Sequence, residues 1–219
     1  MGIKMDVKIK ICGLMSVEDV KLINDAKPDY AGFVFAPGRH RIEKDLAAEM
    51  RNILDETIPA VGVFVDEPIP HILQLVKENV IDMIQLHGRE TPEAVAQIRK
   101  DLSDLSPETR EVRIIKAIRM GTDDQESREE TEKLLLAYKN AGADYFLFDS
   151  RQGGSGKTFD WKALPESPLP FFLAGGLHAE NLADAIREVS PFAVDLSSGA
   201  ETDGRKDPEK IRRIMKALL

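Results

Sequence analysis

Short apolar runs rich in Val, Ile and Phe recur along the whole chain, at 7–12, 30–35, 59–65, 82–87, 112–118, 143–149, 170–174 and 192–197. Between them lie stretches whose apolar positions return every three to four residues, at 17–26, 44–56, 69–79, 91–102, 127–141, 179–189 and 207–219. The first pattern predicts buried strands and the second amphipathic helices. Their alternation predicts βαβ units and a parallel sheet. Eight strands whose starts lie about 22 to 31 residues apart predict an α/β fold, a single (β/α)₈ barrel domain spanning residues 1–219. A doubly wound open sheet is the runner-up; with five or six strands it would leave some of these runs unused.

Local signals agree with this division. Ser16 precedes VEDV, with Asp19 three positions on, and Pro92 and Pro208 follow Thr91 and Asp207 at helix starts. The acidic segment 120–132 reads as a loop running into the exposed start of a helix.

With 42% hydrophobic and 31% charged residues, the 219-residue chain can build a core and a soluble surface. A formal charge of −8 argues against a nucleic-acid partner, which needs a basic face. No apolar run approaches the roughly 18 residues of a membrane span, so no membrane partner is expected. A single cysteine, Cys12, allows no intrachain disulfide and no Cys-rich metal site. With no apolar leader in the first residues, a reducing, cytoplasmic location is expected. His40, His71 and His178 show no metal-ligand spacing, so no metal is expected.

Barrels of this class carry their active sites at the C-terminal ends of the strands. Those ends hold Cys12-Gly13, Phe35 followed by Pro37 to Arg41, Val65-Asp66, Gln85 to Gly88, Lys116 to Ile118, Asp149-Ser150, Ala174 to Gly176, and Asp195 to Gly199. The stretch DSRQGGSGKTFDW at 149–161 contains Gly154 and Gly156, which permit close backbone approach, but Arg151 stands where a nucleotide-binding P-loop needs its first glycine. Gly175-Gly176 after strand seven and Ser198-Gly199 after strand eight fall where such barrels bind phosphate through backbone N–H groups. Ordinary tight turns are the alternative. Taken singly, Cys12 could be a small buried hydrophobe, Asp149 a turn residue and the two loop arginines solvated charges.

Together these residues resemble the phosphoribosylanthranilate isomerase family of tryptophan biosynthesis. The resemblance is carried by Lys10-Ile-Cys12-Gly13, Gly32-Phe-Val-Phe35, Gly62-Val-Phe-Val65, Gln85-Leu-His87-Gly88, Asp149 to Trp161, Gly175-Gly176-Leu177 and Val194-Asp195-Leu-Ser-Ser-Gly199, in family order over nearly the whole chain. It implies an Amadori rearrangement of N-(5-phosphoribosyl)anthranilate with no metal or organic cofactor, a small phosphorylated molecule being the partner. It implies Cys12 as general base, Asp149 as general acid and an arginine after strand two, Arg41 with Arg39 as competitor, holding the anthranilate carboxylate. Gly154, Gly156, Gly175, Gly176, Ser198 and Gly199 are the phosphate-binding candidates, and His87 is read as a substrate contact. The usual Ser-x-Arg pattern is replaced by Pro37-Gly38-Arg39-His40-Arg41, and Ala174 stands where Ser is frequent. Monomer and homodimer both remain open.

The chemistry sets its own demand. An ordinary carboxyl and thiol, at about 3.9 and 8.5, are protonated and ionised together at pH 7 in roughly one molecule in 10⁴–10⁵. That deficit is worth about 6 kcal/mol, so both values are expected to move toward 7. Lys10 shares a strand face with Cys12 and is expected to favour the thiolate. Asp195 is expected to repel charge on Asp149 or align substrate hydroxyls. Another phosphosugar isomerase or epimerase, and a non-catalytic phosphosugar-binding barrel, are the alternatives.

Overall fold

The structure is a computed structural model and describes residues 7–105, 111–120, 128–150 and 161–217. Eight parallel strands close into a barrel in sequence order: β1 (Lys8–Cys12), β2 (Tyr30–Val34), β3 (Ala60–Phe64), β4 (Met83–Leu86), β5 (Arg113–Met120), β6 (Tyr145–Ser150), β7 (Phe171–Leu173) and β8 (Ala193–Leu196). Strand β8 returns to β1 with Lys10 opposite Asp195, which seals the cylinder. Among the described residues six helices lie between strands, α1 (Val17–Ala26), α2 (Lys44–Ile53), α3 (Ile69–Lys77), α4 (Pro92–Asp104), α5 (Arg128–Asn140) and α6 (Leu182–Val189), and a seventh, α7 (Pro208–Ala217), follows β8. The expected (β/α)₈ barrel is therefore present. Between β6 and β7 the described residues hold only a 3₁₀ turn, Trp161–Ala163.

Strand parity sorts the side chains. Val61, Met83, Ile115, Ala117, Leu147, Phe172 and Ala193 point inward and form one buried cluster. Their sequence neighbours, such as Phe64, Ile84, Ile114, Phe146 and Phe148, face outward and join the larger layer beneath the helices. Burying one such side chain contributes about 1.5–3 kcal/mol. At the N-terminal end of the cylinder, the Phe172 ring packs against Tyr30, Tyr145 and Phe192 with centroids 5.5–5.7 Å apart. The opposite, C-terminal end holds a cavity among the described residues.

Helix starts follow the local chemistry read in the sequence. Ser16 accepts from the Asp19 N–H, and Asp19 returns the bond to the Met15 N–H at 2.8 Å. Asp207 accepts from the N–H groups of Glu209 and Lys210 and caps α7. Two features depart from expectation. Strand β5 runs on to Met120, because Arg119 and Met120 pair with Asp149 and Ser150 of β6. A short hairpin, β9 (Glu201–Thr202) with β10 (Arg205–Lys206), occupies a stretch to which the sequence pattern assigned no element.

Candidate active site

Inward parity brings Cys12, Gln85, His87, Asp149, Ala174 and Asp195 to one cavity of about 260 Å³ at the C-terminal end of the barrel. Cys12 is at the end of β1, directly beside Gly32 of β2. A Cβ on Gly32 would stand 2.6 Å from the Cys12 sulfur, so only glycine leaves room for this thiol. One layer below, Lys10 is fully buried, and its Nζ donates to Asp195 Oδ2 at 2.7 Å. The same ammonium stands close enough to the Cys12 thiol for the two to influence each other's charge. Asp195 Oδ1 is buried at the cavity with no partner among the described residues.

The electrostatics correct one expectation. Burial pushes the Cys12 thiol up; Lys10 and, more weakly, Lys206 pull it down without overcoming burial and the nearby Asp195 carboxylate. The unliganded site therefore does not lower the thiol toward 7. Burial alone would lower Lys10, but Asp195 and Cys12 outweigh it and hold the ammonium charged. Much of the lysine's favourable charge is spent on Asp195, which is why its effect on the thiol is partial.

Across the cavity, His87 connects two strands. Its Nε2 lies 3.2 Å from Asp149 Oδ2, and Gln85 Nε2 lies 2.9 Å from its Nδ1. Gln85 is buried and its Oε1 has no partner among the described residues. Past His87, the Glu90 carboxylate accepts from the N–H groups of Asp66 and Gly88 and from Lys116 Nζ at 2.8 Å, which fixes the β4 loop. Lys116 thus faces outward, away from the cavity.

The late glycine turns also reach the cavity, through Gly175, Gly176, Ser197 and Ser198. Gly175 and Gly176 have φ of 89° and 65°, left-handed backbone that turns the chain sharply after β7. Asn181 closes this loop by donating to the Gly176 carbonyl at 3.0 Å. Gly199 is not on the cavity wall. A Cβ there would stand 1.9 Å from the Leu177 carbonyl oxygen, so Gly199 lets the loops after β7 and β8 pack backbone to backbone. Gly154 and Gly156 lie outside the described residues.

Neither loop arginine lines this cavity. Arg41 lines a separate groove with Phe35, Glu67 and His71 and pairs with Glu43 at 3.1 Å. Arg39 pairs with Glu201 at 2.5 Å. The residue between them, His40, is the one that lines the cavity, and its Nε2 lies 2.8 Å from Glu201 Oε1. Glu201 also accepts from Lys206 Nζ at 2.6 Å, and that amine donates to the Cys12 carbonyl at 2.6 Å. Burial alone would raise the Glu201 carboxyl, but hydrogen bonds from His40 and Lys206 and their charges bring it down to about 2. The sequence reading missed His40, Gln85, Glu201 and Lys206 as parts of the site. Gln85 carries a signal, since a polar residue sits at an inward position of an apolar strand; Glu201 and Lys206 carry none, being charged residues in a turn.

Among the described residues, no group of three or more His, Cys, Asp or Glu side chains is arranged to hold a metal ion. No helix there is long and apolar enough to cross a membrane. A closed barrel with a thiol, a carboxyl and a histidine at its C-terminal mouth has the build of an acid–base enzyme. The comparisons then specify which. The family model for N-(5'-phosphoribosyl)anthranilate (PRA) isomerase matches residues 9–217. A relative from Endomicrobium trichonymphae, named N-(5'-phosphoribosyl)anthranilate isomerase, is 43% identical over 215 residues, 96% of this chain and 98% of that one. The crystal structure of phosphoribosyl anthranilate isomerase from Thermotoga maritima superposes with a TM-score of 0.80 at 33% identity, covering 97% of this chain and 98% of the other. A phosphoribosyl anthranilate isomerase in complex with reduced 1-(o-carboxyphenylamino)-1-deoxyribulose 5-phosphate superposes with a TM-score of 0.77 at 30% identity and the same coverage. The chain belongs to the N-(5'-phosphoribosyl)anthranilate isomerase family.

Proposed function

We propose that this chain converts N-(5-phosphoribosyl)anthranilate to 1-(2-carboxyphenylamino)-1-deoxyribulose 5-phosphate, an isomerisation in tryptophan biosynthesis. The observation that carries the assignment of roles is that Cys12 and Asp149 line one cavity whose rim is made by the two late turns. Asp149 protonates the furanose ring oxygen, and the ring opens to a Schiff base. Cys12, as thiolate, removes the C2′ proton, and the resulting enolamine tautomerises to the ketone. Lys10 holds Asp195 in place, and Asp195 Oδ1, without a partner among the described residues, accepts a sugar hydroxyl. Backbone N–H groups of Gly175, Gly176 and Ser198 hold the phosphate.

Arg41 takes the anthranilate carboxylate by leaving Glu43. Both partners are half or more exposed, and such a pair is worth about 0–1 kcal/mol, so the exchange costs little. Arg39 is less free, because its partner Glu201 is buried and shared with His40 and Lys206.

The test is to generate the labile substrate enzymatically, add the protein, and follow anthranilate-type fluorescence. The product is then identified by mass and by NMR in deuterated water. Acceleration over the spontaneous reaction, with one solvent-derived hydrogen at C1′ of the aminoketose, is expected. No acceleration contradicts the proposal.

A further inference from the structure

The polar chain Gln85–His87–Asp149 has one property the proposed mechanism does not use. Its middle member has both ring nitrogens engaged, and its buried end is an amide with a donor on one side and an acceptor on the other. With the Gln85 amide nitrogen on Nδ1, the ring proton sits on Nε2 and is donated to an ionised Asp149. This form gives Asp149 no proton to deliver. If one proton is added, both ring-flanking contacts need a proton: one between Nε2 and Asp149 Oδ2, and one on Nδ1. The Nδ1 proton then needs an acceptor, and Gln85 supplies one by turning its amide so that Oε1, which has no partner among the described residues, faces the ring. A half-turn about the last side-chain bond exchanges the two ends without moving a heavy atom far.

We propose that Gln85 and His87 are positioning residues that load the Asp149 proton, the amide turning from donor to acceptor as the chain takes up the hydrogen later given to the sugar ring oxygen. The inference rests on Asp149 being the acid. The step balances: the chain holds two protons before ring opening and one after, and the second is regained from the substrate side or solvent at turnover. Asparagine could not replace Gln85 from the same strand position, because its amide is one methylene shorter. Its burial keeps water from competing for Nδ1.

Several charged groups face this chain. Cys12 and Asp195 share the cavity, with Lys10 bound to Asp195, and His40 stands at the rim against Glu201. Arg119 of β5 is in register with Asp149, and Asp66 and Glu90 clamp the loop after His87. These groups are unchanged in Gln85 variants, so differences between such variants report the amide.

The test uses the unliganded protein and two variants, Gln85→Met and the near-isosteric Gln85→Glu. Long-range ¹H–¹⁵N spectra of the four histidines follow the His87 ring through a pH titration. In the wild type, Nδ1 is expected to pass from unprotonated to protonated as pH falls, at the pH where the acidic limb of kcat/KM lies. In Gln85→Met both events move to lower pH. In Gln85→Glu a carboxylate faces Nδ1–H and both move to higher pH. Where the limb moves down by one pH unit, the kcat/KM plateau should fall by about tenfold, since the proton-loaded fraction falls in step. A His87 Nδ1 that keeps one protonation state throughout, or titrates at the same pH in all three proteins, overturns the inference. A wild type with no isomerase activity would sink the functional assignment while leaving the NMR result able to decide this one.

Discussion

Cys12 is a thiol that its own surroundings keep protonated. Burial raises it above the ordinary thiol value of about 8.5, and the Lys10 charge offsets this only in part. In the proposed mechanism the active form, thiolate with protonated acid, is therefore a minor tautomer of the pair. Its kcat/KM profile should be bell-shaped, with the alkaline limb above about 8.5, where the pair loses its remaining proton from the thiol. An alkaline limb near 7 would show that the thiol is activated before substrate arrives. The arginines give a second prediction at this scale. Arg41→Ala should raise KM by about tenfold or more with little change in kcat, as removal of a binding contact does. Arg39→Ala should act through Glu201 and chiefly lower stability. The reverse pattern would assign the carboxylate to Arg39. Cys12, Asp149, Lys10 and Asp195 were legible in the sequence because parity along a strand fixes which residues share a face. Arg41 was legible as a candidate but not as a side chain turned toward Glu43, since a loop has no such parity.

At the scale of elements, the β9–β10 hairpin is a clasp. Glu201 and Lys206 form a buried pair that joins the β2 loop through His40, the β8 loop through the Ser197 carbonyl and the β1 end through the Cys12 carbonyl. Nothing in ETDGRKDPE announces this, because His40 lies 161 residues away in sequence. A pairing over that distance is decided by barrel closure, not by local pattern. The pair has a measurable consequence. The Glu201 carboxyl sits at about 2 when folded, against an ordinary Glu value, so its stabilisation is present above roughly pH 4.5 and fades as pH falls through about 2. A depression of that size is worth about 3 kcal/mol. Glu201→Gln should cost about 3 kcal/mol at neutral pH, measured by urea unfolding, and should remove that part of the acid dependence between pH 4.5 and 2. Equal pH dependence in both proteins would show that the pair contributes nothing net.

For the whole molecule, the alternation of strands and helices carried the architecture although not every boundary was right; α1 matches its expected span, Val17–Ala26, while other elements differ by a few residues. Strand β5 outran its expected end, and the sixth connection has no regular helix among the described residues, yet the barrel closes β8 to β1. Closure depends on eight strands and their shared twist, which short runs of Val, Ile and Phe record redundantly. The site is recorded less redundantly: one thiol, one carboxyl and one glycine that leaves space for sulfur. Gly32→Ala should therefore leave the barrel folded at a cost of about 1–3 kcal/mol from overpacking, while displacing the Cys12 sulfur and lowering kcat far more than KM. A loss confined to KM would place the damage in substrate binding.

In the proposed mechanism Cys12 and Asp149 exchange protons with the same sugar. This claim is tested most directly by comparing the wild type with Cys12→Ala and Asp149→Asn on freshly generated N-(5-phosphoribosyl)anthranilate, with binding of a reduced product analogue measured alongside. Each variant should lose about 10²–10⁴-fold in kcat and keep its affinity for the analogue within a few-fold. Retention of near wild-type turnover by either variant would contradict the claim.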